Sequence, residues 1–396
     1  MVRALLVASA LTLASCASQA PGQQGAAADP PYVVSEEMQD ARREYLQHAG
    51  AFLADPGSDT SRGWHQQTIA LLGREDLQAL IPESTNWFPK SDCAEGAGDA
   101  IGEIVRRAEA YSVVIVNEDH AVPQHRGVIA GLVRELTASG FTHYAAEAMY
   151  PDAVTPRDDH ATRVSDGWYT QDPQLAALLA ELRAAGTTLV QYEQRPEQRA
   201  PDDASMDESI NAREEAQANN LIEAVFARAP ETRIIIHVGH AHVYEMVNGQ
   251  PSVWMAARLK AKTGIDPLTI DLTPCKPGGA APVLAGEVTF RGNPWAPGTD
   301  LVARMPVVTF TSNRPDYRRS AETQDIAVPE ALRPVSGLAI IEARRAGEGD
   351  EIVPSDRLLL RPGEEIPLIL MPGDYVVVAF GAEGLLERPV QLTVTR

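Results

Sequence analysis

Basic residues are scarce in this chain. Its 396 residues include 34 Lys and Arg against 54 Asp and Glu, which gives a formal net charge of −20. A field of that sign repels phosphate backbones and anionic lipid headgroups. We therefore expect no nucleic acid partner.

Long apolar runs are also lacking after the N-terminus, so no later segment is predicted to cross a membrane. The N-terminus itself, MVRALLVASALTLASC, has one basic residue and then a short apolar run, which is typical of a secretory signal. Its LASC ending resembles the lipobox of bacterial lipoproteins. The resemblance implies a signal peptide over residues 1–15, a lipid on Cys16 and a flexible tether over 16–35. Because Ala17 follows, it also implies an anchor in the outer membrane of the bacterial envelope. The alternative is an ordinary signal peptide in which Cys16 is incidental.

Cysteine is rare as well, with three in the chain. If Cys16 carries the lipid, Cys93 and Cys275 remain as an even pair in an oxidising compartment, where disulfides persist. We predict that these two form a disulfide, and two separate free thiols are the alternative.

The remaining sequence divides into two parts. In residues 36–280, apolar runs typical of buried strands alternate with helical segments, which predicts an α/β core with a mainly parallel sheet flanked by helices. The helical pattern stops after Cys275. Residues 281–396 carry short β-type runs between turn signals and predict a smaller, β-rich, sandwich-like domain. Within it, RPDYRRSAETQD (314–325) predicts a surface loop, with a lid over the site as the alternative.

Acids and histidines follow four consecutive predicted strands. The first strand runs into NEDH (117–120), the second ends at Glu147, the third ends at Glu193, and the fourth runs into GHAH (239–242). In an open parallel sheet, ligands bind outside the carboxyl ends of the strands. We therefore expect these side chains to converge on one pocket.

Three segments resemble motifs of the superfamily that contains erythromycin esterases, ChaN-like haem-binding lipoproteins and the TIKI/TraB proteins. VNEDH (116–120) is similar to its GExH motif, GHAHV (239–243) to its GxxH motif, and REEAQANNL (213–221) to its RDxxMAxNL helix. Asn117 stands where many members have glycine. The resemblance covers about residues 100–275 and implies the α/β core of that superfamily.

Carried over position by position, the resemblance implies a first set of residues, which are catalytic or bind a divalent metal such as Mn, Co or Zn. Carboxylate and imidazole groups suit both roles, because they coordinate divalent metals and because an oriented histidine can activate water. The first set is Glu118, His120, Glu147 and His242. A second set is expected to bind substrate or to hold the first set in place. It consists of His125, Glu193, Arg213, Glu214 and His240.

Several of these positions have a second interpretation. Arg213 and Glu214, on a helix predicted over 207–228, could equally form a structural ion pair between the helix and the sheet. His237, inside the fourth strand, is predicted to be a hydrogen-bonded core residue. Gly239 is expected to let the chain turn sharply where that strand ends.

These features predict a lipid-anchored envelope hydrolase of this superfamily, which cleaves an ester, amide or peptide bond of a small-molecule or peptide substrate with activated water. A haem- or iron-binding lipoprotein that uses the same pocket is the alternative, with Tyr144 or Tyr150 as an axial ligand. A structural envelope protein with a degenerate site is the third possibility.

Overall fold

A computed structural model describes residues 32, 34–82, 90–96, 98–246, 253–290, 293–294 and 298–396. Cys16, the predicted signal peptide and most of the predicted tether lie outside these residues. Among the residues inside them, no helix has the length and apolar character needed to span a membrane.

The described residues form seven α-helices and eighteen strands. The helices are α1 Glu36–Ala54, α2 Gln66–Leu71, α3 Ala100–Ala108, α4 Gln124–Ala138, α5 Pro173–Ala184, α6 Met206–Leu221 and α7 Met255–Thr263. The strands are β1 Asp92–Glu95, β2 Val113–Glu118, β3 His143–Ala146, β4 Thr188–Val190, β5 Ile234–Gly239, β6 Leu268–Asp271, β7 Val283–Phe290, β8 Asn293–Pro294, β9 Leu301–Arg304, β10 Phe310–Thr311, β11 Arg314–Pro315, β12 Gln324–Ile326, β13 Ala339–Arg345, β14 Asp356–Leu360, β15 Leu368–Leu370, β16 Gly373–Gly381, β17 Gly384–Leu385 and β18 Val390–Val394.

Half of these strands form one mixed sheet. Its order is β1–β7–β9–β6–β2–β5–β3–β4, with β8 also paired to β7. Neighbours from β9 to β4 are parallel, whereas β7 is antiparallel to both β1 and β9. The chain therefore has an α/β architecture.

Helices cover both faces of this sheet. Every residue of β2 is buried, as a continuous apolar run in a parallel sheet predicts. Val114 and Val116 belong to the apolar cluster that includes α3, α4 and α5. Val113 and Ile115 pack with α6 and α7 on the opposite face. The candidate residues lie at the carboxyl ends of the strands.

The chain after residue 280 differs from the expected separate domain. Strands β7 and β9 extend the main sheet, and β9 pairs in parallel with β6 through Ile270 and Leu301. An open β6 edge would expose unpaired backbone groups, and β9 covers it. The later strands form smaller antiparallel sheets, of which the largest has the order β14–β13–β16–β17 with β18 paired to β16.

This five-stranded sheet is covered by the N-terminal helices. Tyr45 and Phe52 of α1 share a buried apolar cluster with Ile340, Val378 and Phe380 of the sheet. The opposite face of the sheet packs against β12 and β15. The helix near the start of the described chain therefore packs on one face of the sheet near its end, and β12 and β15 pack on the other face.

Residues 314–325 are not simply the predicted surface loop. Arg314 is fully buried, and the side chain of Arg318, in the 3₁₀ turn Asp316–Arg318, is only 6% exposed. Ser320 is exposed. The two arginines are buried because each has a buried carboxylate partner, which offsets the loss of hydration.

Cys93 on β1 and Cys275, shortly after β6, form a disulfide with their Cα atoms 5.6 Å apart. This is the pairing that the sequence analysis predicts. The bond joins the edge strand β1 to the segment that follows β6, a strand inside the same sheet.

Candidate active site

The candidate residues lie at the carboxyl ends of four neighbouring strands. Glu118 ends β2, and its partner across the parallel register is Gly239 at the end of β5. Glu147 follows β3, Glu193 follows β4, and His242 lies in the short turn after β5. The sheet order brings these ends together, although the residues are far apart in sequence.

His120 is oriented by Glu118. Nδ1 of the imidazole lies 2.7 Å from Oε1 of Glu118, and the ring stacks on Tyr169 with 3.8 Å between centroids. The carboxylate of Glu118 is buried and also accepts a hydrogen bond from Nη2 of Arg126 at 2.8 Å. Its other oxygen lies 3.0 Å from Nε2 of His237. His237 is buried and hydrogen-bonded, and its partner belongs to the site.

His242 is paired with a second buried carboxylate from the opposite side, through an ion pair. Its Nδ1 forms an ion pair with Oε1 of Glu214 at 2.7 Å, and Oε2 of that buried carboxylate accepts the backbone N–H of Met255. Both Nε2 atoms approach Glu147, at 3.6 Å for His120 and 3.5 Å for His242. Glu147 is therefore shared by two imidazoles, each oriented by its own carboxylate. Of the two roles considered for Glu214, the structure places it as the holder of a histidine.

Arg213 lies beside the shared carboxylate. Its Nη2 donates to Glu147 and to Glu193, each at 2.7 Å, and its Nε donates to Glu193 at 3.0 Å. Its Nη1 lies 3.2 Å from Nε2 of His242. The Arg213 side chain is 34% exposed. Glu193 thus positions a guanidinium that remains accessible to a substrate oxygen.

The carboxylates and imidazoles shift one another's pKa values. Burial by itself lowers the pKa of His120, but Glu147 and Glu118 outweigh it and raise that pKa to about 9. For His242, burial is likewise outweighed by Glu147 and Glu214, and the pKa rises to about 10. Burial alone would raise the pKa of Glu147, yet the two imidazoles hold it well below its ordinary value. At neutral pH the cluster contains two protonated imidazoles around an ionised carboxylate.

Gly239 provides space between these groups. Its backbone is extended, with φ −91° and ψ 149°, so the predicted sharp turn at this residue is wrong. A Cβ here would clash with Nε2 of His120 and Oε2 of Glu147, and the Gly239 N–H donates to the same Oε2. Glycine is required for close approach. The positive φ, 35°, falls instead on His240.

Two residues of the second predicted set have other positions. His240 lines the cavity, with Nε2 3.8 Å from Asp119, and its carbonyl oxygen accepts a hydrogen bond from Asn117 at 2.8 Å. His125 does not line the cavity. Its Nδ1 accepts the backbone N–H of Asp119 at 2.9 Å. Burial lowers the pKa of His125 to about 4. His125 is therefore a neutral residue that fixes the loop after β2.

A cavity of about 840 Å³ opens beside the cluster. Five of the predicted site residues line it: His120, Glu147, Arg213, His240 and His242. Aromatic side chains form much of the remaining wall, and they are Trp64, Tyr150, Trp168 and Tyr169. Glu44 and His48 of α1 also line it. The N-terminal helices thus contribute to a site that is predicted from strand ends and from the helix over 207–228.

The first set does not fit the predicted Mn, Co or Zn site. Both oxygens of Glu118 already bind protein donors. The Arg213 guanidinium, a cation, lies against Glu147 and His242. Within the described ranges, no group of three or more His, Cys, Asp or Glu side chains is arranged to hold a metal ion. The donor set is occupied by internal ion pairs, which is the physical reason for the difference.

The two tyrosines considered as haem ligands have different environments. Tyr144 is fully buried, and its hydroxyl is hydrogen-bonded to Nδ1 of His237 at 2.9 Å, so it cannot be an axial ligand. Tyr150 lines the cavity and is 46% exposed.

Sequence reasoning missed Arg126 and Tyr169. Arg126 is in the first turn of α4, directly after His125, and a cation there facing a strand-end acid was a usable signal. Tyr169 lies in a short 3₁₀ turn, Tyr169–Gln171, where no periodicity marks it. Its contact with His120 depends on a long-range approach that sequence patterns do not encode.

Comparison with known proteins gives partial structural likenesses. No protein-family model matches the chain, and no curated protein matches it. The structure of the type III effector HopBA1 is 16% identical with a TM-score of 0.34, covering 55% of this chain and 98% of that chain. A structure described as "Bacterial protein toxins" is 12% identical with a TM-score of 0.30, covering 60% and 46%. RRSP, a MARTX toxin effector domain from Vibrio vulnificus CMCP6, is 15% identical with a TM-score of 0.29, covering 52% and 40%. The chain thus spans less than half of the last two structures.

Proposed function

We propose that the chain is a hydrolase that cleaves an ester, amide or peptide bond with water activated by an imidazole. One observation carries the proposal. Two imidazoles, each oriented at Nδ1 by a buried carboxylate, approach the same carboxylate, Glu147, in the wall of an open cavity. A histidine held in this way exchanges a proton through its other ring nitrogen, which general acid–base catalysis requires.

The proposed reaction uses the two imidazoles in different roles. His120 acts as the base: its Nε2 takes a proton from water while the water oxygen attacks the carbonyl carbon. Arg213 donates a hydrogen bond to the carbonyl oxygen, where negative charge develops. When the bond to the leaving group breaks, Nε2 of His242 supplies the proton that the leaving group needs. Glu147 stabilises the protonated form of each imidazole.

We also propose the family and location that the sequence motifs imply. The GExH-like and GxxH-like segments support membership of the erythromycin esterase, ChaN-like and TIKI/TraB superfamily for the α/β core. The lipobox-like LASC supports a lipid on Cys16 and an outer-membrane location in a bacterial envelope. Loss of palmitate labelling in Cys16→Ser is the outcome that this anchor requires.

A haem- or iron-binding lipoprotein is the second candidate. Tyr150, half-exposed in the cavity wall next to other aromatic side chains, is the observation that favours it. Phenolate oxygen is a known axial ligand of haem iron.

The test is turnover of an ester, amide and peptide panel by the full chain in detergent, compared with single alanine variants. His120→Ala and His242→Ala are expected to lose at least about a hundredfold in kcat, because each removes a proton-transfer group. His143→Ala is the matched control. His143 begins the strand that Glu147 follows, so it lies at the amino-terminal end of that strand, opposite the end where the site lies. Its kcat should stay within about twofold.

Three results would contradict the hydrolase. Absence of turnover, or turnover that does not depend on His120, would rule out the proposed hydrolase activity. A Soret band lost in Tyr150→Phe would support the haem-binding candidate instead. Stoichiometric Mn, Co or Zn lost in His242→Ala would require a metal-dependent reaction in place of the one proposed.

A further inference from the structure

Four buried ion pairs connect the site to the C-terminal part of the chain. Glu118 binds Arg126 at 2.8 Å, Arg126 lies 3.6 Å from Asp172, Asp172 lies 3.3 Å from Arg318, and Arg318 binds Glu75 at 2.7 Å. We call these five residues the charge chain. Their signs alternate, and each side chain is at most 6% exposed.

Arg318 has a fixed position in this chain. Its Nε and Nη2 donate to Oε1 of Glu75 at 2.9 and 2.7 Å, and Nη2 also donates to Oδ2 of Asp172. The neighbouring Tyr317 hydroxyl donates to the same Glu75 oxygen at 2.7 Å. Tyr317 and Arg318 therefore both anchor this turn to Glu75.

Asp172 lies between two cations. Its Oδ1 accepts the backbone N–H groups of Gln174 and Leu175 and so caps α5. Its Oδ2 is left for Arg318 at 3.3 Å and Arg126 at 3.6 Å. Nη1 of Arg126 is buried and has no hydrogen-bond partner among the described atoms. Arg126 is therefore the group that Asp172 would attract if its other cation were removed.

The consequence for the site follows from the low local dielectric. A buried charge that loses its partner draws the nearest opposite charge toward itself, because leaving it unpaired is costly. A shift of Arg126 toward Asp172 would take the guanidinium away from Glu118, which orients His120. A displacement of a reacting group by about 1 Å can lower the rate by a factor of about a hundred.

We propose that Arg318 is a positioning residue for His120: by sharing Asp172, it keeps the Arg126 guanidinium on Glu118. The β-rich part of the chain thereby takes part in the site without contacting substrate. The turnover measurements below rest on the proposed hydrolase function, whereas the spectroscopic one does not.

The experiment measures kcat and KM of the full chain and three variants. Arg318→Met is expected to lower kcat by about tenfold to a hundredfold with KM within about twofold, since the cavity wall is unchanged. Arg318→Met combined with Asp172→Asn removes both charges and should return kcat to within about threefold of the unmodified chain. Asparagine keeps the oxygen that caps α5, so the helix start is preserved.

Arg314→Met is the matched control. Arg314 is as buried as Arg318, lies in the same segment and pairs with Asp356 at 2.6 Å, but no contact joins that pair to Arg126 in the described structure. It should lower the stability to urea while leaving kcat unchanged. Equal losses of kcat in the two Met variants, or no recovery in the double variant, would make Arg318 a structural residue and overturn the proposal.

A readout without turnover separates this proposal from the hydrolase itself. In chain labelled with ¹⁵N at histidine, NMR signals of the His120 ring are expected to shift in Arg318→Met and to stay in place in Arg314→Met. If the unmodified chain turns over no substrate, the proposed function fails. The His120 signals alone then test the positioning role of Arg318. Unshifted His120 signals in Arg318→Met would then overturn the positioning role.

Discussion

At the residue scale, the site is defined by which ring nitrogen each carboxylate holds. Glu118 and Glu214 each lie 2.7 Å from an Nδ1, which leaves the Nε2 atoms of His120 and His242 beside Glu147. Because the orienting carboxylates are buried, each ring has one available nitrogen in a fixed direction. Each ring thus presents one nitrogen beside Glu147, so one imidazole can accept a proton while the other donates one.

The raised pKa values predict an alkaline rate profile. His120, with its pKa raised to about 9, is protonated at pH 7, so kcat should rise about tenfold per pH unit up to pH 9. Above the His242 pKa of about 10 the acid is lost, and kcat should fall. A pH–rate profile with an ester stable to base checks this. In Glu147→Gln, the rising part of the profile should move toward the ordinary histidine pKa near 6.5.

The same shifts set the sign of the pH dependence of stability. Both folded-state pKa values lie above the ordinary one, so the two imidazoles stabilise the fold fully below about pH 6.5. That contribution is lost as pH rises through 9 and 10. A rate profile whose rising part is already centred near pH 6.5 in the unmodified chain would contradict the ion pairs as described.

At the scale of elements, strand ends were predictable and the covering segments were not. Glu118, Glu147 and Glu193 each follow a continuous apolar run, and a parallel sheet must bring such ends to one edge. Trp64 and His48 reach the same cavity from helices that pack on a different sheet. Their periodicity predicts helices, but nothing in it specifies the partner surface.

A buried ion cluster joins α1 to the five-stranded sheet. Sequence patterns do not predict this cluster either. Glu342 on β13 accepts from Arg42 of α1 at 3.0 Å, from Arg344 at 2.6 Å and from Arg357 of β14 at 2.8 Å. All four side chains are at most 2% exposed. The three arginines hold the pKa of Glu342 well below its ordinary value, although burial alone would raise it.

We predict that Glu342→Gln lowers the free energy of unfolding by about 3 to 5 kcal/mol, since it leaves three buried guanidinium groups without their carboxylate. Urea denaturation measures the change. The control is Glu365→Gln, which breaks the exposed pair with Arg333 at 2.8 Å and should cost less than about 1 kcal/mol. Similar losses in both variants would mean that the buried cluster contributes no more than a surface pair.

At the scale of the whole molecule, the α/β class follows from the alternation of strand and helix patterns, whereas the extent of the sheet does not. Residues 285–290 read as a β-type run, which indicates a strand but not the sheet it joins, and Leu301–Arg304 forms a strand that no predicted run marked. The place of Leu301–Arg304 beside Leu268–Asp271, and of Val283–Phe290 beside Leu301–Arg304, depends on strand edges that only the assembled fold presents. The described residues between Tyr32 and Arg396 form one compact unit.

The disulfide between Cys93 and Cys275 fastens one edge of the main sheet. Cys93 belongs to β1, a four-residue edge strand whose other residues include exposed ones, and it pairs with β7 alone in the described sheet. The bond closes a loop of 182 residues that contains the helices and parallel strands of the site. Closing so long a loop restricts the unfolded chain far more than the folded one.

We therefore predict that replacing both cysteines with serine lowers the free energy of unfolding by about 2 to 5 kcal/mol. Urea denaturation should show the same loss when dithiothreitol is added to the unmodified chain, and the reductant should change nothing in the Cys93→Ser/Cys275→Ser variant. Because the loop closure acts on the unfolded state, kcat under native conditions should stay within about twofold. A variant as stable as the oxidised chain would show that pairing with β7 already holds β1 in place, and a large fall in kcat would show that the bond also shapes the site.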